Sequence, residues 1–81
     1  LNAEQERVLE VSTRVLGEEH PDTLTAMWNL ALTLYKTGEV TAAVGLLGRC
    51  LAARRRVLGD QHPDTVATAE FLKRIGGQER H

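Results

Sequence analysis

Apolar residues recur along the chain at spacings of three and four, the pattern of helices with one buried face. Glycines and prolines interrupt this pattern, and they favour the end of one helix and the first turn of the next. No run of four or more residues alternates apolar and polar positions between turn residues, so no strand is expected. The pattern therefore predicts an all-α fold of about four helices, over residues 3–16, 21–37, 40–58 and 63–75.

Short connections between these helices predict antiparallel neighbours. The first helix is expected to end before Gly17 and to turn one apolar side inward. The residues expected on that inner side are Val8, Leu9, Ser12, Val15 and Leu16.

The sequence repeats itself at an offset of 42 residues. The ten residues 14–23, RVLGEEHPDT, recur as RVLGDQHPDT over residues 56–65, and only the two positions after the glycine differ. Helix pairs that recur at a fixed period form a solenoid, in which each unit buries its apolar face against its neighbours. The chain holds slightly under two periods, so it is expected to begin and end inside repeats.

The second and third helices carry large, small and turn residues at the spacing of the tetratricopeptide repeat. The matching positions are Met27, Leu30, Ala31 and Leu34 in the first helix of the pair, Gly38 at the turn, and Ala43 and Leu47 in the second helix. The chain thus resembles this family over nearly its whole length. It is similar in particular to the longer 42-residue form found in kinesin light chains, whose signature resembles the VLGxxHPDT string.

The resemblance implies a short right-handed α-solenoid, with residues 1–81 forming a single fragment of the repeat. Its parts would be helix B of a preceding repeat (3–16), one complete repeat over 21–58 (helix A 21–37, helix B 40–58), and helix A of a following or capping half-repeat (63–75). Lys73 stands where the family has a small residue, and a lysine there is expected to clash with a following helix B. We therefore expect a terminal cap with a polar outer face and a native protein that ends nearby.

Composition and charge narrow the possible functions. Ten Lys and Arg against eleven Asp and Glu give a net charge of −1, too balanced for a dedicated nucleic-acid binder or a membrane-surface anchor. No apolar stretch approaches the roughly 18 to 20 residues of a membrane span. The only cysteine, Cys50, excludes an intramolecular disulfide and fits a reducing compartment. We expect a cytoplasmic protein without nucleic-acid or membrane partners.

Candidate chemical sites are few. His20 and His62 are repeat equivalents before prolines and His81 lies in the tail, so a structural role at helix starts is favoured over a metal site. The run Arg54–Arg56 favours a solvated helix face over a phosphate-binding patch. Cys50 has no identifiable histidine partner for nucleophilic catalysis. The sequence predicts no catalytic, metal or cofactor site, and hence no enzyme.

The helix over 21–37 is apolar on nearly all sides, which predicts that other helices or a partner pack against more than one of them. Because A helices line the concave groove of the tetratricopeptide repeat, the resemblance directs the stripe of Trp28, Leu32 and Tyr35 toward a protein or peptide partner. Asn29 stands where family members place an amide that binds an extended peptide. The candidate partner-binding residues are Thr25, Trp28, Asn29, Leu32, Tyr35 and Lys36.

Two alternatives to this groove hypothesis stay open. In the first, Trp28 and Tyr35 pack against the adjacent helix A instead of facing a partner. In the second, the chain associates with itself, as a homodimer or a larger assembly, through exposed helix faces or by exchange of helices.

Overall fold

The computed structural model describes residues 2–78 of the chain. Four α-helices and no strand occur in this range. The helices are α1 (Asn2–Leu16), α2 (Pro21–Lys36), α3 (Val40–Leu58) and α4 (Pro63–Gly76). Their bounds differ from the predicted ones by at most one residue at each end, and the fold is an all-α helical repeat. None of these helices combines the length and the apolarity needed to cross a membrane.

The starts of α2 and α4 have the same local structure because the HPDT string is repeated. His20 and His62 precede the two helices with extended backbones, at φ −68°, ψ 140° and φ −65°, ψ 138°. In each case Nδ1 of the histidine accepts a hydrogen bond at 3.0 Å from a backbone N–H group, that of Asp22 and that of Asp64. These imidazoles cap helix N-termini, in agreement with the structural role expected for them.

Each helix packs against the next one along the chain, and the Cα atoms span a slab of 37 × 32 × 14 Å. The centre of the core lies between α2 and α3, where Met27, Ala31, Ala43 and Leu47 have no exposed surface. These are the positions at which the repeat pattern places its large and small residues. The small side chains allow the two helices to approach closely, and the large ones fill the space beside them.

The burial expected for α1 is largely wrong. Val8, Val15 and Leu16 are 51%, 71% and 43% exposed, although Leu9 packs against the core and Ser12 is half-buried. The reason is that α1 packs mainly against α2, and no other helix among the described residues covers its opposite side.

Two ion pairs connect α3 to the turn between α1 and α2. Arg49 Nη2 lies 2.6 Å from Glu18 Oε2, and Arg56 Nε lies 2.6 Å from Glu19 Oε2. All four side chains are about half exposed, so each pair contributes about 1 kcal/mol at most. Their main effect is to fix which parts of the turn and of α3 face each other.

Candidate functional site

Four of the predicted partner-binding residues form one line along the outer side of α2. Thr25, Asn29 and Lys36 are exposed and Leu32 is half-exposed. Their spacing of four, three and four residues places them on the same side of a helix. We call this set the α2 outer stripe. It presents one apolar side chain among two polar side chains and one cationic side chain.

Trp28 and Tyr35 lie at the edge of this stripe and are half-buried. Both rings pack against Phe71 of α4, with centroid distances of 5.6 Å and 5.5 Å and interplanar angles of 60° and 83°. These are edge-to-face contacts, which aromatic rings prefer over a stacked sandwich. These contacts agree with the alternative in which Trp28 and Tyr35 pack against the adjacent helix A. Part of each ring nevertheless stays at the surface.

The sequence pattern does not predict Phe71 as a site residue. It is the repeat equivalent of Asn29, because 42 residues separate them, yet an aromatic ring stands where α2 has an exposed amide. The sequence signal for Phe71 was an apolar residue at a position that is polar in the other repeat.

Tyr35 is also held at its hydroxyl group, which accepts a hydrogen bond at 2.9 Å from Gln78 Nε2.

The expectation that all three arginines of the run 54–56 lie on a solvated face of α3 is wrong for Arg54. Arg55 and Arg56 are exposed, but Arg54 is only 8% exposed. Its guanidinium carbon lies 5.4 Å from the centre of the Trp28 ring, and Nη1 donates a hydrogen bond at 2.6 Å to Thr68 Oγ1. Its Nε has no hydrogen-bond partner, and no carboxylate pairs with it among residues 3–78. Arg54 is thus a nearly buried cation that no anion of the described residues pairs with.

Two depressions border the α2 outer stripe. A cleft of about 90 Å³ lies beside Thr25 and contains Arg54 and Asp64. A depression of about 170 Å³ lies beside Asn29, between α2 and α1. A larger groove of about 430 Å³ lies elsewhere, where α1 side chains such as Glu6, Glu10 and Arg14 line it together with Leu30 and Arg49. The Thr25 and Asn29 end of the stripe is therefore flanked by recesses that a partner's side chains could enter.

Cys50 is fully buried in the core between α2 and α3. Burial raises the pKa of its thiol, and the charge of Arg54 offsets this only in part. The thiol donates a hydrogen bond at 3.6 Å to the carbonyl oxygen of Leu24. A protonated, inaccessible thiol is a poor nucleophile. Within the described range, no cluster of His, Cys, Asp or Glu has the composition to hold a metal ion.

Comparison with known proteins assigns the family. Residues 3–22 and 23–64, well over half of the chain, match the family model of the tetratricopeptide repeat. No curated protein matches the chain significantly. The matched segments contain α1, α2 and α3 with the residues of their shared core. The chain belongs to the tetratricopeptide repeat family.

Proposed function

We propose that the chain is a non-enzymatic interaction module that binds a peptide or a helix of a protein partner along the α2 outer stripe. Tetratricopeptide repeats generally mediate protein–protein interactions. The observation that supports this site is the exposed line of Thr25, Asn29, Leu32 and Lys36, which borders two recesses at Thr25 and Asn29. An exposed line of this length along one helix suits an elongated ligand, which would run along α2.

Asn29 would orient the bound segment. Its side chain is exposed and makes no hydrogen bond to any residue from 3 to 78. An amide group both donates and accepts, so it can pair with a peptide backbone in either orientation. Leu32 would supply apolar contact area between the exposed edges of Trp28 and Tyr35.

The aromatic rings would bind with little loss of conformational freedom. Phe71 already fixes Trp28 and Tyr35 from one side, and Gln78 holds the hydroxyl group of Tyr35. Side chains that are ordered before binding add affinity, because less entropy is lost when the partner arrives.

Charge suggests that the partner carries an acidic group beside its apolar residues. Arg54 pairs with no carboxylate among residues 3–78, and together with Asp64 it lines the cleft that also contains Thr25. Lys36 adds a second, exposed cation at the other end of the stripe. A carboxylate placed at either position would gain a charge-assisted hydrogen bond.

We also propose that the repeat is of the long form seen in kinesin light chains and that the protein acts in the cytoplasm. The identical hydrogen bonds at His20 and His62, 42 residues apart, support the first statement. The second rests on the single reduced cysteine.

The test uses random peptides displayed on phage and selected on the 81-residue chain. Selected peptides are titrated while the fluorescence of Trp28, the only tryptophan, is recorded. Replacing Asn29 by Ala is expected to weaken binding about 5- to 30-fold, the equivalent of a lost hydrogen bond of about 1–2 kcal/mol. Replacing Leu32 by Asp is expected to abolish it.

Gln61→Ala serves as the matched control, since this exposed amide lies in the turn before α4, outside the stripe. Circular dichroism would verify that every variant stays folded. Selection of no peptide, or equal affinities for the wild type and both stripe variants, would rule out the α2 outer stripe as the binding site.

Self-association is a second candidate function, favoured by one specific observation. Val8, Val11 and Val15 form an exposed apolar stripe on α1. Contiguous apolar side chains on a surface are a common feature of association sites.

A further inference from the structure

Arg54 is a nearly buried cation that uses only part of its hydrogen-bonding capacity. Nη1 donates hydrogen bonds to Thr68 Oγ1 at 2.6 Å and to the backbone carbonyl oxygen of Asp64 at 3.5 Å. Nε and Nη2 make no hydrogen bond to any residue from 3 to 78. Buried polar groups nearly always have hydrogen-bond partners, so the unused donors of this guanidinium group indicate an acceptor that comes from outside the chain.

The cleft at Arg54 gives such an acceptor a place. Its volume is about 90 Å³, and its lining residues come from α2, α3 and α4. The apolar ones are Pro21, Leu24 and Leu58, and the polar ones are Thr25, Arg54 and Asp64. One water molecule takes about 30 Å³ in the liquid, so the cleft has room for a group of a few non-hydrogen atoms.

The charges of the lining residues cancel. Arg54 carries a positive charge, Asp64 carries a negative charge, and the others are uncharged. The carboxylate of Asp64 makes no hydrogen bond and no ion pair with residues 3–78. The cleft thus presents unused donors and an unused acceptor. A carboxylate that entered it would be repelled by Asp64, and an ammonium group would be repelled by Arg54.

A primary amide fits this combination without repulsion. It is neutral, its oxygen accepts hydrogen bonds, and its nitrogen donates them. The oxygen would accept from Nη2 of Arg54 while the nitrogen donates to the carboxylate of Asp64. A hydroxyl group fits less well, because a single oxygen would have to serve both partners.

We propose that the Arg54 cleft binds the side-chain amide of a Gln or Asn residue of the partner. The proposal rests on peptide binding along the α2 outer stripe and specifies one residue of that peptide. It also distinguishes the two cations of the site. The acidic group of the partner pairs with Lys36, which is exposed and has no ion pair among residues 3–78, whereas the cleft takes the neutral amide.

The length of the stripe sets the spacing of these two residues in the peptide. Thr25 at the cleft and Lys36 are separated by about 16 Å along the helix axis, and Thr25 and Leu32 by about 10 Å. An extended peptide advances about 3.3 Å per residue, so these distances correspond to about five and about three residues. The expected motif is an amide residue, an apolar residue about three positions away and an acidic residue about two positions beyond it.

The peptides selected on the 81-residue chain test the motif first. Gln or Asn is expected to be enriched about five positions from an acidic residue, in either chain direction. One such peptide is then synthesised with its amide residue retained, replaced by the isosteric acid, or replaced by Ser. Titration at neutral pH, followed by Trp28 fluorescence, should show the amide peptide binding about tenfold or more tighter than the acid peptide, because the acid meets Asp64. The Ser peptide should also bind less tightly than the amide peptide.

An exposed charge of the cleft provides the decisive variant. Asp64→Asn leaves the cleft with a net positive charge, so this variant should bind the acid peptide more tightly than the amide peptide. Asp22→Asn is the matched control, because Asp22 is the repeat equivalent of Asp64 and lies exposed in the first turn of α2 but does not line the cleft. The control removes the same charge and should keep the preference for the amide. Circular dichroism would verify that both variants stay folded.

Three results would each overturn the amide site. These are no enrichment of Gln or Asn, binding of the acid peptide to the wild type at least as tight as that of the amide peptide, and an unchanged preference in Asp64→Asn. If the selected peptides still lose affinity for Leu32→Asp in that event, the α2 outer stripe stands as the binding site. Selection of no peptide, or peptides that bind Leu32→Asp as tightly as the wild type, would overturn the stripe and the amide site together.

Discussion

The same position in the two repeats has different surroundings, as Ser12 and Arg54 show. These residues are 42 positions apart, yet Ser12 is half-buried and Arg54 is a nearly buried cation. The difference comes from the acceptor on the next helix A. Thr68 of α4 provides a hydroxyl group for Arg54, whereas its equivalent in α2 is Ala26. The arginine therefore depends on one residue of a neighbouring helix.

Cys50 gives a prediction of pH dependence at the residue scale. Burial raises the pKa of its thiol above that of the unfolded chain, with a partial offset from Arg54. The unfolded chain thus loses the thiol proton first as pH rises, so this contribution to stability is complete below about pH 8.5 and declines above it. Urea unfolding from pH 7 to pH 10 is expected to show this decline, while Cys50→Ala should lose less stability over the same interval.

Thiol labelling provides an independent check. A disulfide reagent should react with Cys50 much more slowly in the folded chain than in the urea-unfolded chain. Equal labelling rates would show that the thiol is accessible, and the expected pH dependence would then lose its cause.

At the scale of single helices, glycines and prolines that end or start helices account for the agreement between the predicted and observed helix bounds. Gly17 and Gly59 have φ values of 96° and 90°, a conformation that side-chain-bearing residues rarely adopt, so α1 and α3 end there. Pro21 and Pro63 occupy first turns, where their missing N–H group costs nothing. Such signals depend only on neighbouring residues, so they can be identified in the sequence before the tertiary structure is known.

The histidine caps lead to a prediction for α4. His62→Ala removes the acceptor for the N–H group of Asp64 and is expected to destabilise the chain by about 1 kcal/mol. Hydrogen exchange should show faster exchange in the first turn of α4, measured at low protein concentration. His62→Asn retains an acceptor and should behave nearly as the wild type, so equal losses in both variants would contradict the capping role.

At the scale of the whole molecule, Phe71 connects α4 to α2 across the repeat boundary. Phe71→Ala would remove the ring that packs against Trp28 and Tyr35, and we expect a destabilisation of about 2 kcal/mol. Trp28 should then emit at longer wavelength, because more of its ring meets water. Thermal melting and fluorescence spectra measure the two effects.

Val66→Ala is the matched control for this experiment, since Val66 lies on the outer side of the same helix. It should change stability by about 0.5 kcal/mol or less and leave the emission of Trp28 unchanged. A similar red shift in both variants would indicate general loosening of α4 and not the loss of a specific aromatic contact.

The sequence by itself determined the helices, the repeat and the central core. Spacings of three and four, with glycine and proline at the breaks, depend only on neighbouring residues, and the small and large positions of α2 and α3 follow from the repeat pattern. The tertiary structure decided three further features. These are which side of α1 is covered, where the Trp28 and Tyr35 rings pack, and the burial of Arg54. These outcomes depend on residues that are distant in sequence, such as Phe71 and Thr68, and on whether a neighbouring helix is present.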